Sequence, residues 1–260
     1  MTFKAREHTP NAKLITGGSG LGLIIARTLE ANGAKVYITG RNEEKLKEAT
    51  KLAVRSPHSS IRRKPSDPAY TCQQHGNLIP IPGSTTSQAD LQRAVDTITS
   101  ETGYIDLLIN NAGQTTFDSS PNARPKPTPE STAAEVRDYY FNYRPASLWT
   151  STLETNVAAV FTTSMAFLEL LAEGNKRRAA GKPSSQIVAI GSVGGLTRHT
   201  DSFIYNASKA AVHHLMKNLG THFVPFDVRC NVIAPGCESS LHSSFSHCSG
   251  ANASQGSRQT

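Results

Sequence analysis

Neither a CxxC pair nor a His/Cys spacing suited to metal binding occurs in this chain. Its four cysteines, Cys72, Cys230, Cys237 and Cys248, show no ligand-type pattern. That excludes a zinc-ribbon or dithiol redox motif, sets the expectation of no bound metal, and fits a reduced setting. No hydrophobic run approaches the length of a membrane span, and the N-terminus lacks the apolar core of a signal peptide. No membrane contact and a cytoplasmic location are therefore expected. Asn252-Ala-Ser meets the glycosylation pattern only formally. Acidic residues are outnumbered, 20 against 27 basic, giving a net charge of +7. Such a balance suits an anionic ligand, nucleic acid or an acidic carrier protein. Much of the excess sits in two loops, Arg55 to Lys64 and Lys176 to Lys182, so solvated basic loops are the simpler reading. Nucleic acid is disfavoured, because Arg62-Arg63-Lys64 lacks aromatic interleaving and a binding module.

At 260 residues the chain fits one large α/β domain. Ala12 to Thr16 is a short apolar strand, Leu21 to Asn32 an amphipathic helix ended by Gly33, and Lys35 to Thr39 the next strand. Glu43 to Val54 is a Lys/Glu-rich surface helix. A proline-bearing, aperiodic stretch at about 55–77 is an insertion, since loops of that length are uncommon in compact domains. Leu78 to Pro82 and Ile105 to Asn110 are strands around a helix at Gln88 to Thr102. Gln114 to Trp149 is loop-rich; its aromatic residues from Tyr139 to Tyr143 either line a pocket or pack the loop, and packing is favoured. Ser151 to Glu173 is expected as one long helix, Gln186 to Gly191 and Val228 to Ile233 as strands, and Phe203 to Phe223 as a helix. Crossover helices between these strands predict a doubly wound parallel sheet with helices on both faces. Residues 237–260 are Ser-rich, without apolar periodicity, and are expected to be disordered.

Two clusters carry chemistry. The glycine turn Gly17-Gly18-Ser19-Gly20-Leu21-Gly22 lies between strand and helix, where backbone N–H groups and the helix N-terminus receive phosphate. Arg41, after the second strand, stands where NAD-preferring folds place an acid; a guanidinium suits a 2′-phosphate instead. Tyr205 and Lys209 are four residues apart on one helix and share a face, making a phenol beside an ammonium, with Ser192 just upstream. His213 and His214 are taken as ordinary helix-face residues.

Together with Asn111-Ala112-Gly113, Asn156 and the Pro235-Gly236 turn, this ordered set resembles the short-chain dehydrogenase/reductase family from about Lys13 to Gly236. The wording around Ser192 and Tyr205 is similar to the branch of 3-oxoacyl-carrier-protein and secondary-metabolite reductases. The resemblance implies a Rossmann-type domain over 1–236 binding NADP(H), an oxidoreductase reducing a carbonyl or oxidising a secondary alcohol, and a substrate that is free or carrier- or CoA-linked. It implies Tyr205 as proton donor, Ser192 holding the carbonyl oxygen, Lys209 lowering the Tyr pKa and holding the ribose, and Asn156 anchoring a relay water. It further implies contacts to the cofactor from Gly17, Ser19, Gly20, Leu21, Gly22, Arg41, Asn111, Ala112, Gly113, Tyr205, Lys209, Pro235 and Gly236, and a homo-oligomer through the helices carrying Asn156 and Tyr205. The chain departs from the family in three places. The glycine turn is one residue shorter than the usual TGxxxGxG, Ser84 stands where relatives carry Asp, and no lid helix or last strand follows Gly236. A cofactor-binding or scaffold protein without turnover is therefore the second reading.

Overall fold

The computed structural model describes residues 11–51, 76–116, 123–198 and 202–236. The insertion at 55–77, apart from Gly76 and Asn77, and the tail at 237–260 lie outside the described residues. The strands are β1 (Ala12–Thr16), β2 (Lys35–Gly40), β3 (Leu78–Pro82), β4 (Leu107–Asn110), β5 (Gln186–Ile190) and β6 (Arg229–Ile233). They form one parallel sheet in the order β3-β2-β1-β4-β5-β6. Helices α1 (Gly20–Ala31), α2 (Glu43–Lys51) and α3 (Gln88–Glu101) follow the first three strands. Beyond β4 come α4 (Ala133–Arg137), α5 (Ser147–Leu153), α6 (Ala159–Ala166) and α7 (Leu168–Arg177); α8 (Phe203–His222) links β5 to β6.

Alternation along each strand sorts the core into two layers, because successive side chains leave opposite faces of a pleated sheet. Leu14, Tyr37, Leu108 and Ile187 pack against α3, α6, α7 and α8 on one side. Ile15, Ile38, Ile109 and Val188 pack against α1 and α2 on the other. Each such fully buried apolar side chain contributes roughly 1.5–3 kcal/mol. Strands buried on both faces read as continuous apolar runs, which is why Leu14-Ile15 and Ile187-Val188 show no polar partner in sequence. The order reverses between β1 and β4, so the loops at their carboxyl ends diverge and leave a crevice. Among the described residues β6 is an edge strand.

Two expectations are corrected. The helix expected from Ser151 to Glu173 is three pieces: α5 and α6 are joined by a π-helical turn at Glu154–Ala158, and α7 starts after a break at Phe167. The apolar faces of α6 and α7 continue past that break, which made one long helix of them in the sequence. Residues 114–149 are less loop-like than expected. Thr132 caps α4 with a reciprocal capping box to Glu135, and a π-helical turn follows over Asp138–Tyr143. Among the described residues no single helix is long and apolar enough to cross a membrane. The bent pair α5–α6 plus α7 has comparable apolar content, but Phe167, Leu170 and Leu171 are spent in the core. The basic residues at the end of α7 and just beyond it are locally paired, Lys176 with Glu173 and Arg178 with Asp227, while the Arg177 guanidinium stacks over the Tyr104 ring.

Candidate active site

The crevice opens at the carboxyl ends of the strands, and its first half is a cavity of about 330 Å³ floored by Gly17, Gly18 and Ser19. The shortened glycine turn closes without plugging it. Gly17 and Gly20 take φ values of +89° and +54°, a left-handed backbone that glycine adopts without Cβ strain. Ser19 precedes α1, makes no side-chain cap and lines the cavity. Gly18 abuts Leu46: a Cβ there would fall 2.1 Å from the leucine methyl. Gly20 and Gly22 do not line the cavity. Gly22 lies beneath it, where an added Cβ would meet the Gly17 carbonyl at 2.1 Å and the Asn111 amide at 2.4 Å. Gly22→Ala is therefore expected to displace the turn, lowering stability by about 1–3 kcal/mol. Thermal melts against the parent check this; an unchanged melt would show that the turn tolerates the methyl.

Thr16 ties the two diverging loops together. Its hydroxyl accepts the amides of Asn111 and Ala112, both at 2.9 Å, and the Asn111 side chain donates to the Thr16 carbonyl at 2.9 Å. Arg41 and Lys45 both line the cavity. Lys45 was missed: it passed as one of several charges on a surface helix, although its position four residues after Arg41 was the available signal. Ser84 does line the cavity, with its hydroxyl paired to Thr86 at 2.9 Å. The nearby carboxylate is Asp90 of α3, which accepts the Ser84 amide at 2.7 Å. That hydrogen bond, more than the neighbouring Arg93, holds the Asp90 carboxyl below the ordinary range.

The second half is a cavity of about 260 Å³ where Leu21, Asn111 and Gly113 face Ser192, Tyr205 and Lys209. Pro235 and Gly236 close its rim. Ser192 follows β5, and Tyr205 and Lys209 rise from the first turns of α8. Tyr205 and Ser192 line the cavity together, and the Ser192 hydroxyl oxygen accepts the Gly194 amide at 3.1 Å. Lys209 donates to the Ile190 carbonyl at 2.7 Å and lies 5.6 Å from the centre of the Tyr205 ring. Burial lowers its pKa to about 8. Burial also pushes the Tyr205 phenol up, with the neighbouring Ser192 hydroxyl acting in the opposite sense. The expected lowering of the phenol pKa by Lys209 is thus not met in the free chain, because desolvation by burial dominates.

Asn156 is buried in the π-helical turn, a conformation often found at functional positions. Its side chain clamps Gln114, accepting the amide at 2.8 Å and donating to the carbonyl at 3.0 Å, and donates to Ser208 at 2.9 Å. Gly113 separates it from the lysine; a methyl there would come within 3.2 Å of Asn156 Oδ1 and 3.7 Å of Lys209 Nζ. His213, taken as a face residue, instead reaches back to the Ser192 carbonyl at 3.2 Å. Nothing in its spacing distinguished it from His214. Among the described residues no group of His, Cys, Asp and Glu could hold a metal.

Fold and crevice together define the class: a Rossmann-type α/β protein whose strand ends converge on a Ser/Tyr/Lys cluster. The chain matches the family model for short chain dehydrogenase over residues 57–244. It is 44% identical over 241 residues to the short-chain dehydrogenase/reductase VdtF of Byssochlamys spectabilis, covering 86% of this chain and 72% of that protein. The rhamnolipid-biosynthesis 3-oxoacyl-[acyl-carrier-protein] reductase of Pseudomonas aeruginosa is 29% identical over 225 residues, covering 86% and 71%. A solved Pseudomonas aeruginosa RhlG/NADP active-site complex superposes with a TM-score of 0.61 at 26% identity, over 87% of this chain and 72% of that one. The chain belongs to the short-chain dehydrogenase family and is an oxidoreductase by that membership.

Proposed function

We propose that the chain reduces a carbonyl compound to a secondary alcohol with NADPH, in fatty-acyl or polyketide-type secondary metabolism. The observation that carries this reading is the convergence of Ser192, Tyr205 and a buried Lys209 on one cavity at the open end of a two-part crevice. The crevice fits a phosphorylated dinucleotide. Its floor is glycine and serine at a helix N-terminus, and Arg41 and Lys45 line it for a 2′-phosphate. NADPH, when bound, supplies the hydride. Ser192 and Tyr205 hold the carbonyl oxygen, and the phenol, kept protonated by burial, gives its proton as the oxygen gains charge. Lys209 is placed to hold the ribose hydroxyls and to favour the phenolate that remains. Asn156 Oδ1 keeps one lone pair beyond its bond to Gln114 and, across Gly113 from Lys209, would anchor a relay water. Leu153 and Phe161, exposed on α5 and α6, favour a homo-oligomer along that helix.

Purified protein with NADPH and a panel of ketones and 3-oxoacyl thioesters tests the reading. Turnover is expected; tight NADPH binding with no turnover on any member would favour the scaffold alternative. Replacing Arg41 and Lys45 together by Ala is expected to weaken NADPH binding by roughly 10- to 100-fold, as hydrogen bonds to charged groups contribute about 1.5–3 kcal/mol. NADH binding should barely move. Equal losses for both cofactors would remove the 2′-phosphate assignment.

A further inference from the structure

Helix α8 carries Tyr205, Lys209 and His213 at intervals of four, so the three follow one another along one side of the helix. The reaction described above uses the first two. The third repeats, one turn on, what Lys209 does to the backbone. Lys209 donates to the Ile190 carbonyl at 2.7 Å, and His213 Nε2 stands 3.2 Å from the Ser192 carbonyl. A carbonyl oxygen only accepts, so Nε2 carries the hydrogen in this contact. Two successive side chains of α8 thus grip alternate carbonyls, one on either side of Gly191, where β5 runs out into the turn bearing Ser192.

The space around the imidazole fits that role. A methyl on Gly191 would fall 2.7 Å from His213 Nε2, and one on Gly195 would fall 3.1 Å from His213 Cδ2. The ring is therefore seated between two glycines of the turn. Other bonds hold the turn without fixing it to α8. The Ser192 carbonyl also accepts the Gly195 amide at 3.0 Å, and the Val193 amide reaches the Pro235 carbonyl at 3.0 Å. The first closes the turn on itself, and the second ties it to the segment after β6. The His213 bond joins Ser192 to the helix that carries Tyr205.

We propose that His213 is a positioning residue for carbonyl reduction. It fixes the Ser192 backbone against α8, so that the Ser192 hydroxyl and the Tyr205 phenol keep one spacing around a shared carbonyl oxygen. This rests on the reductase reading, in which those two groups hold that oxygen. His213 does not line the cavity that holds them, and it passes no proton to the substrate. Its effect on rate comes through geometry, since small misplacements of a group that meets the reacting atoms are costly.

The test compares the full-length protein with His213→Leu, His213→Gln and His214→Leu on a ketone that the parent reduces. Leucine keeps bulk and has no donor, and His213→Leu should lower kcat by about ten-fold. KM for the ketone and NADPH affinity should stay within about two-fold, because the bond acts on a group that works in the transition state. Glutamine, whose amide nitrogen reaches about as far as Nε2, should recover most of the loss. His214 is exposed, and His214→Leu should match the parent. In a Ser192→Ala background, His213→Leu should cost nothing more, as no hydroxyl remains to be positioned. Independent, multiplying losses from the two substitutions, or a loss that glutamine does not relieve, would overturn the proposal. Should the leucine variant fail to fold, His213→Asn, with its shorter amide, takes its place in the comparison. Deuterium exchange of the Gly194 and Gly195 amides, followed by NMR, reads the anchor without turnover. It should be faster in His213→Leu and close to the parent in His213→Gln. Undiminished kcat in His213→Leu leaves the reductase reading standing and removes the role of His213. If the parent reduces no ketone, the reductase reading falls and exchange decides the anchor alone; equal exchange in parent and His213→Leu would then sink it too.

Discussion

Tyr205→Phe is expected to lower carbonyl reduction by roughly 10³-fold, within the range for loss of a positioned general acid, and to leave NADPH affinity nearly unchanged. The ring stays, so its packing above Lys209 stays. What disappears is the hydroxyl that shares the cavity with Ser192, and the proton it delivers. A parallel Ser192→Ala variant should lose less, because it removes one of two groups on the oxygen and no proton. Steady-state rates with a saturating ketone, beside cofactor titrations, separate the two losses. Turnover in Tyr205→Phe close to the parent's would dismiss the phenol as proton donor.

Lys209→Met should be nearly as damaging to turnover, about 100-fold or more by loss of a preorganised charge, and it should also weaken NADPH binding. Its effect on stability runs the other way. The folded-state pKa of about 8 lies below the ordinary lysine value of 10.5, so the fold disfavours the ammonium. That cost is present in full below pH 8 and fades as pH rises from 8 toward 10.5, where the unfolded chain also loses the proton. At neutral pH the methionine variant should therefore melt no lower than the parent. In the parent, kcat/KM for reduction should fall as pH rises through about 8, when the free protein loses this charge. Tyr205 contributes no limb in that range, since burial keeps the phenol protonated. Lys209→Arg should shift the fall to higher pH. A profile flat past pH 9 in the parent would disconnect Lys209 from catalysis.

The parallel sheet could be read from the chain because doubly buried strands are short apolar runs, and each one here ends in a glycine, asparagine or serine turn. The Tyr205–Lys209 pair was visible because helical periodicity puts residues four apart on one face. What periodicity cannot express is where an irregular segment goes. The π-helical turns at 138–143 and 154–158 shift the register of apolar positions, so α5 and α6 read as one straight helix and the aromatic cluster as loop packing. The roles of Thr16 and His213 depend on partners far away in sequence, Asn111 and Ser192, which no local pattern announces. The tuning of Tyr205 was misjudged for a related reason. Spacing shows that an ammonium is near, but not that burial pushes the phenol the other way.

Isotope transfer tests the central claim most directly. The protein, supplied with a ketone it turns over and NADPH deuterated at both positions of nicotinamide C4, should yield an alcohol bearing one deuterium on the carbinol carbon, seen by mass spectrometry, and Tyr205→Phe should yield almost none. Alcohol formed without the label, or labelled alcohol formed equally by both proteins, would contradict the account.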